Sequence, residues 1–218
     1  ERRRQVASAL RAVLPDRCVL HDPEDTRPYE CDGLAAYRQL PMIVTLPDNE
    51  EQVLAILKVC RDLQVPIVPR GAGTGLSGGA LAEDVVLVGL NRLTRILSID
   101  PVERLAVVEP GVVNVALTRA ATPYGLHYAP DPSSQAACTI GGNVAENAGG
   151  PHCLKYGVTL NHVRAVTAIL PDGEIVRLGN PEGEVDGYDL LGAFVGSEGC
   201  FGIALDVTVR LSPNPQAI

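Results

Sequence analysis

Between two apolar runs the chain carries Pro69-Arg-Gly-Ala-Gly-Thr-Gly-Leu-Ser-Gly-Gly-Ala80, with glycine at five of twelve positions. Glycine admits positive φ and lets a ligand approach the main chain closely. Consecutive amides that point inward form a nest for phosphate oxygens. Thr74 and Ser77 add hydroxyl donors. Gly73-Thr-Gly75-Leu-Ser-Gly78 matches the dinucleotide fingerprint G-x-G-x-x-G, a pattern that needs its context. A Rossmann loop follows the first strand of its sheet and opens directly into a helix that receives the pyrophosphate. Here the loop follows a second strand and leads through Ala80-Leu-Ala-Glu-Asp into another, Val85–Val88. No Gly-Lys-Ser/Thr follows, so a P-loop is excluded as well.

The flanking periodicities fix the class. Residues 2–14 space Val6, Ala9, Leu10, Val13 and Leu14 helically, and Pro15 stops the run. Residues 15–40 read as irregular, punctuated by Pro23, Pro28 and Gly33. Ile43–Leu46 reads as a strand, 50–63 as a helix capped by Asp48 with Glu51 as its partner, and Val65–Pro69 as a returning strand. That is a βαβ unit with parallel strands. Beyond it come short strands at Val85–Val88, Ile96–Ile99 and Leu105–Val108, then a helix at Val112–Ala121. A hairpin follows at Val163–Leu170 and Glu174–Arg177 around Pro171-Asp172-Gly173, with a short helix at Tyr188–Phe194 and a strand at Ile203–Leu211. The expected class is α+β: an N-terminal βαβ-containing subdomain and a strand-rich second subdomain. We divide the chain into a lead-in at 1–36 and a domain at 37–218, with subdomains near 37–98 and 99–218.

Two further small-residue segments accompany the loop. Pro130-Asp-Pro-Ser-Ser-Gln-Ala-Ala-Cys-Thr-Ile-Gly-Gly-Asn143 continues as Val-Ala-Glu-Asn-Ala-Gly-Gly150, and Gly196-Ser-Glu-Gly-Cys-Phe-Gly-Ile203 precedes the last strand. Three such segments suit a long, bent ligand between two subdomains, and a dinucleotide fits better than one phosphate. A net charge of −8 argues against nucleic acid, which needs a basic patch. Arg2-Arg3-Arg4 reads as a solvated helix face. No apolar stretch approaches the ~20 residues of a membrane span. Six cysteines without a C-x-x-C pair read as free thiols in a reducing cytoplasm, and His152-Cys153 alone makes no metal site. The start at Glu1 instead of Met reads as a processed or excised segment.

On Pro69–Ala80, Thr139-Ile-Gly-Gly-Asn143 and Gly196-Ser-Glu-Gly199 the sequence resembles the vanillyl-alcohol oxidase (PCMH) type of FAD-binding fold. It is most similar to the family of the glycolate oxidase D subunit and the FAD-linked D-lactate and D-2-hydroxyglutarate dehydrogenases. Asn147-Ala-Gly-Gly-Pro-His-Cys-Leu-Lys-Tyr-Gly-Val-Thr159 resembles the glycolate branch. The likeness runs from about Tyr37 to the end. It implies FAD held through Pro69, Arg70, Gly71, Ala72, Gly73, Thr74 and Gly75 around the pyrophosphate. It implies that Asp131, Pro132, Ser133 and Thr139 lie along the flavin, and that Gly142, Asn143, Asn147, Ala148 and Gly149 line the channel. Glu198, Gly199, Gly202 and Ile203 would meet the adenosine end or ring edge. The loop has no His, so the implied FAD is noncovalent.

The family's implied reaction passes the α-hydride of a 2-hydroxy acid, glycolate or D-lactate, to the flavin. Electrons would go on to iron–sulfur and second flavin-type partner subunits or to quinone, in the cytoplasm or at the inner membrane through partners. The cap domain of longer relatives, with its His/Glu metal site, is expected to be absent, since the chain ends near Leu211–Ile218. No metal site and no catalytic base is assigned. The alternatives are a noncatalytic FAD-binding electron-transfer or assembly subunit, an NADPH-linked flavin reductase of cell-wall precursors on the same fold, and a nicotinamide dehydrogenase, which the missing helix disfavours.

Overall fold

The structure, a computed structural model, describes residues 1–183 and 187–215. Residues 216–218, the last of the domain drawn above, lie outside the described residues. The chain divides into two compact units: Glu1–Leu93 with Pro171–Glu174, and Thr94–Leu170 with Ile175 onward. The division at Leu93 leaves the strand at Ile96–Asp100 whole in the second unit, whereas a cut at 98/99 would split it.

The first unit opens with helix α1 (Arg2–Arg11), which buries Val6, Ala7 and Leu10. Its arginines are anchors and not a purely solvated face: Arg3 Nε donates to the Met42 carbonyl at 2.9 Å and Arg2 to the Gln64 carbonyl at 3.2 Å. The stretch read as irregular holds strand β1 (Val19–Leu20), helix α2 (Pro23–Thr26) and two single 3-10 turns. Elements this short show no period in sequence. Strand β2 (Ile43–Thr45) pairs antiparallel with β1.

Helix α3 (Glu50–Asp62) is capped by Asn49 and not by Asp48. Asn49 Oδ1 accepts from Gln52 N at 3.0 Å, and Gln52 Oε1 accepts from Asp48 N at 2.8 Å. The cap is thus made by amides, one residue later than the carboxylates would place it, with the return bond from Gln52 reaching the residue before the cap. The Asp48 carboxylate is engaged elsewhere, 2.7 Å from Arg17 and 3.4 Å from Arg92. Val53, Ile56, Leu57 and Cys60 form the buried stripe of α3, and each aliphatic side chain so buried stabilises by about 1.5–3 kcal/mol.

Strand β3 (Ile67–Arg70) is parallel to β2, as expected, but the two are not neighbours. Strand β4 (Val86–Gly89) lies between them, and the sheet order is β1-β2-β4-β3. All four β4 residues are buried, as a central strand covered on both faces requires. Pro69 sits on the edge strand β3, where its missing N–H costs no ladder bond.

The second unit is built on an antiparallel sheet of strands β5 (Ile96–Asp100) and β6 (Leu105–Val108), joined by later β8, β9 and β10. Helix α4 (Asn114–Ala121), the short strand β7 (Leu126–His127), helix α5 (Ile140–Glu146) and helix α6 (Cys153–Tyr156) follow β6. Strands β8 (Val163–Ile169) and β9 (Ile175–Gly179) form the expected hairpin. Helix α7 (Leu190–Phe194), strand β10 (Ile203–Arg210) and strand β11 (Ser212–Pro213) complete the unit. The order β5-β6-β10-β8-β9 places the last long strand at the centre. Val108, Leu117, Ile140, Val144, Val166 and Val207 share one core, so α4 and α5 are fastened to the sheet by aliphatic packing. The α+β class holds, with a mostly parallel sheet in one unit and an antiparallel sheet in the other.

Candidate functional site

In the first unit, β3 delivers Pro69 and Arg70 to the start of the glycine loop, and residues 71–85 enter neither helix nor strand. The chain passes from glycines to β4 with no helix end pointing at them. Gly73 holds φ +70° and Gly78 φ +86°, both left-handed. A Cβ on Gly73 would also meet the Arg70 guanidinium, which would have to move aside, while the positive φ favours glycine whatever the space. Among the described residues, the amides of Ala72, Gly73, Thr74 and Gly75 donate to no other protein group. Four unclaimed N–H groups on consecutive residues are what an oxyanion-binding nest needs.

Arg70 does not reach outward. It is 9% exposed, folded back under Gly73, with Nη1 3.3 Å from the Ala80 carbonyl and its guanidinium 5.9 Å from the Tyr29 ring centre. Desolvation lowers its pKa, opposed by the charges of Cys31, Tyr29 and Asp32, and it stays protonated, as arginine does in proteins. It is therefore a buried positive charge beneath the loop.

The other side of the loop meets a segment that the sequence marked only by the turn residue Gly33. Gly33 N donates to the Gly75 carbonyl at 2.9 Å, and a Cβ at Gly33 would sit 2.7 Å from the Thr74 carbonyl oxygen. Asp32 is buried, and its carboxylate accepts from Leu34 N at 2.8 Å and from Gly78 N at 2.9 Å. The Asp-Gly pair was the available signal, but nothing in sequence says which distant loop it meets.

The expected residues of the second unit gather around α5, a helix that its glycines hide from periodicity. Thr139 caps it, accepting from Gly142 N at 3.2 Å. Gly141 N donates to the Pro110 carbonyl at 2.8 Å, and a Cβ there would lie 2.6 Å from Pro110 Cβ. Asn143 is 1% exposed, and its Nδ2 meets no acceptor stronger than the Cys138 thiol among the described residues. Asn147 ends α5 at φ +48° and accepts Leu160 N at 2.9 Å. Ala148 N returns to the Asn143 carbonyl at 3.0 Å, and the Ala148 carbonyl accepts Thr159 Oγ1 at 2.7 Å. Gly149 follows, with Val158 and Cys153 against it.

The Gly196–Gly199 segment is tied to the same helix: Gly196 N bonds the Val144 carbonyl and Glu198 N the Ala145 carbonyl, at 2.8 and 2.9 Å. Glu198 and Gly199 both take positive φ, with the Glu198 side chain exposed. Gly202 packs against the Ile169 carbonyl, and the Ile203 side chain is in the core, leaving only its main chain for a ligand. Asp131, Pro132 and Ser133 precede the turn that leads to α5. Asp131 Oδ2 lies 2.5 Å from His152 Nδ1, and a Cβ on Gly150 would run into Asp131. His152 thus has a carboxylate partner, which sequence reasoning about metals did not find.

Burial shapes the ionisable groups behind α5. It pushes the Cys138 thiol and the Tyr128 phenol up, and it pushes His162 down. His162 Nε2 lies 2.8 Å from the Tyr156 carbonyl, which fixes its proton on that nitrogen. Among the described residues, no three His, Cys, Asp or Glu side chains group as metal ligands, and no helix is long and apolar enough to cross a membrane.

A family model described as an FAD binding domain matches residues 41–179. The chain is 54% identical to glycolate oxidase subunit GlcD of Escherichia coli (strain K12), over 98% of this chain and 43% of that protein. It is 36% identical to D-lactate dehydrogenase of Anaerostipes hadrus, over 98% of this chain and 45% of that one. A solved structure of alkyldihydroxyacetonephosphate synthase covers 98% of this chain with a TM-score of 0.86 and 22% identity, a likeness of fold. This chain spans 41% of that structure, and less than half the length of each relative named here.

Proposed function

The chain belongs to the FAD binding domain family, and from that premise we propose that it is the FAD-holding part of a flavin-dependent 2-hydroxy acid dehydrogenase. The observation that carries the reading is the run of unclaimed amides from Ala72 to Gly75, opened by the left-handed Gly73. Main-chain N–H groups of Ala72–Gly75, within the Pro69–Gly75 segment, hold the diphosphate, with the Arg70 charge buried beneath them. Asn143 fits the same reading in the second unit: its buried amide nitrogen has only the weak acceptor of the Cys138 thiol beside it, which leaves it able to donate to a ligand. Thr139, Gly142, Asn147, Ala148 and Gly149 line the cofactor around α5, with Asp131–Ser133 along the flavin and Glu198, Gly199, Gly202 and the Ile203 main chain toward the adenosine end or ring edge.

When bound, FAD supplies acceptance of the α-hydride of the substrate. The contribution of this chain is to bind and orient; holding reactants in register is worth roughly 7–11 kcal/mol in favourable cases. Likeness to a glycolate oxidase subunit and to a D-lactate dehydrogenase supports a small 2-hydroxy acid as substrate, with partner subunits or quinone as electron acceptor. The loop carries no histidine, which supports noncovalent attachment.

Denaturing the purified intact protein and analysing the supernatant tests this. Flavin should be released and identified as FAD, and glycolate or D-lactate should bleach the native flavin absorbance. A protein that neither contains flavin nor takes up added FAD would overturn the reading.

A further inference from the structure

We propose that Asp32 is a positioning residue for cofactor binding: it holds the glycine loop in the shape that leaves the Ala72–Gly75 amides free. The inference rests on the FAD reading above. Asp32 lies upstream of residues 41–179, which the family model matches.

The geometry is a clamp with two jaws. On one side Arg70 fills the space under Gly73 and reaches the Ala80 carbonyl. On the other, both Asp32 oxygens are used, one on Leu34 N at 2.8 Å and one on Gly78 N at 2.9 Å. The adjacent Gly33 N takes the Gly75 carbonyl, and its missing side chain admits Thr74. The Gly75 and Ala80 carbonyls and the Gly78 amide, all in the far half of the loop, are thereby occupied, while the amides of Ala72–Gly75 are not. With that far limb unpinned, the glycines would sample many conformations, and ordering them would fall on the ligand.

Electrostatics sharpens the argument. A carboxylate beside a diphosphate is unfavourable by Coulomb's law, and the buried Arg70 offsets only part of it. If charge were the criterion, asparagine would serve better here. What a carboxylate offers, and asparagine does not, is an acceptor for each of two N–H groups. The two accounts therefore predict opposite signs for Asp32→Asn. Removing a repulsive charge would tighten FAD binding. Turning an NH2 group toward one of the two amides would loosen the loop and weaken it.

The test uses the intact protein stripped of flavin, with FAD titrated by fluorescence quenching and amide hydrogen exchange read over residues 71–80 without cofactor. Asp32→Asn should weaken FAD by about tenfold or more, the scale of one charge-assisted hydrogen bond, and speed exchange in the loop. Ile56→Val, a buried change in α3, should lower thermal stability and leave both readouts alone. Tighter or unchanged FAD binding with unchanged loop exchange in Asp32→Asn would overturn the proposal. If the wild-type protein took up no FAD, the functional reading would fail, and the exchange rates alone would judge the clamp.

Discussion

Both units are rich in glycine, yet the glycines do different physical work. In the first unit Gly73 turns the backbone left-handed and leaves a row of amides with nothing to bond. In the second, Gly141, Gly150 and Gly202 exist because another part of the same unit occupies the space: Pro110, Asp131 and the Ile169 carbonyl. The first pattern frees main-chain donors, and the second, which Gly33 of the first unit shares against the Thr74 carbonyl, is close packing of the protein on itself. Gly-rich sequence reports that something comes near the backbone; only the structure tells whether that something is protein.

The widest separation between the units is expected from one alanine in each. Gly73→Ala places a methyl against the Arg70 guanidinium at a φ that costs about 1–2 kcal/mol for an L-residue. FAD affinity should fall by about a hundredfold or more, because the amides that would hold the diphosphate must shift. Gly141→Ala should do the reverse. Its methyl overpacks against Pro110, which costs about 1–3 kcal/mol of stability with little direct effect on FAD. Titration of FAD alongside urea unfolding of both variants would measure the contrast. Equal losses of affinity would erase it.

The same contrast explains what the sequence disclosed. The loop was legible because five glycines with no following helix are a local fact, and so were β2, the β8–β9 hairpin and β10, whose apolar runs are long enough to show a pattern. The insertion of β4 between β2 and β3 was not, since strand order is set by long-range burial that local spacing does not record. Helix α5 was hidden because Gly141 and Gly142 argue against helix on propensity, while its real support is the Thr139 cap and the burial of Ile140 and Val144. The cap of α3 was placed one residue early because Asp48 and Asn49 are equally good caps in isolation; Arg17 and Arg92 decide between them by engaging Asp48. Asp32 was passed over for the same reason as β4: its partner, Gly78, is distant in sequence.

A smaller effect separates the units by pH. His162 in the second unit is buried, with its pKa pushed below the ordinary histidine value by desolvation. The unfolded chain then binds a proton that the folded chain refuses, so stability is fully present above about pH 6.5 and is lost as pH falls toward the folded pKa. The slope in that window is at most about 1.4 kcal/mol per pH unit for one proton. Thermal melts between pH 7 and pH 5 should show the second unit losing stability, and His162→Gln should flatten the trend. A slope unchanged in the variant would assign it elsewhere.

The smallest expected effect concerns Asp131 and His152, and it asks whether any residue of the second unit behaves like those of the glycine loop. The His152 side chain is 68% exposed, so this pair contributes a few tenths to about 1 kcal/mol at most, whichever partner is removed. Asp131→Asn and His152→Gln should therefore melt close to the wild-type protein and close to each other. FAD affinity is where they should part. If Asp131 lies along the flavin as proposed, Asp131→Asn loses more affinity than His152→Gln, because one alters a contact and the other only its support. Equal, small losses would mean that Asp131 acts through its histidine and the nearby Gly150 turn, and that this corner of the second unit packs against itself as Gly141 does.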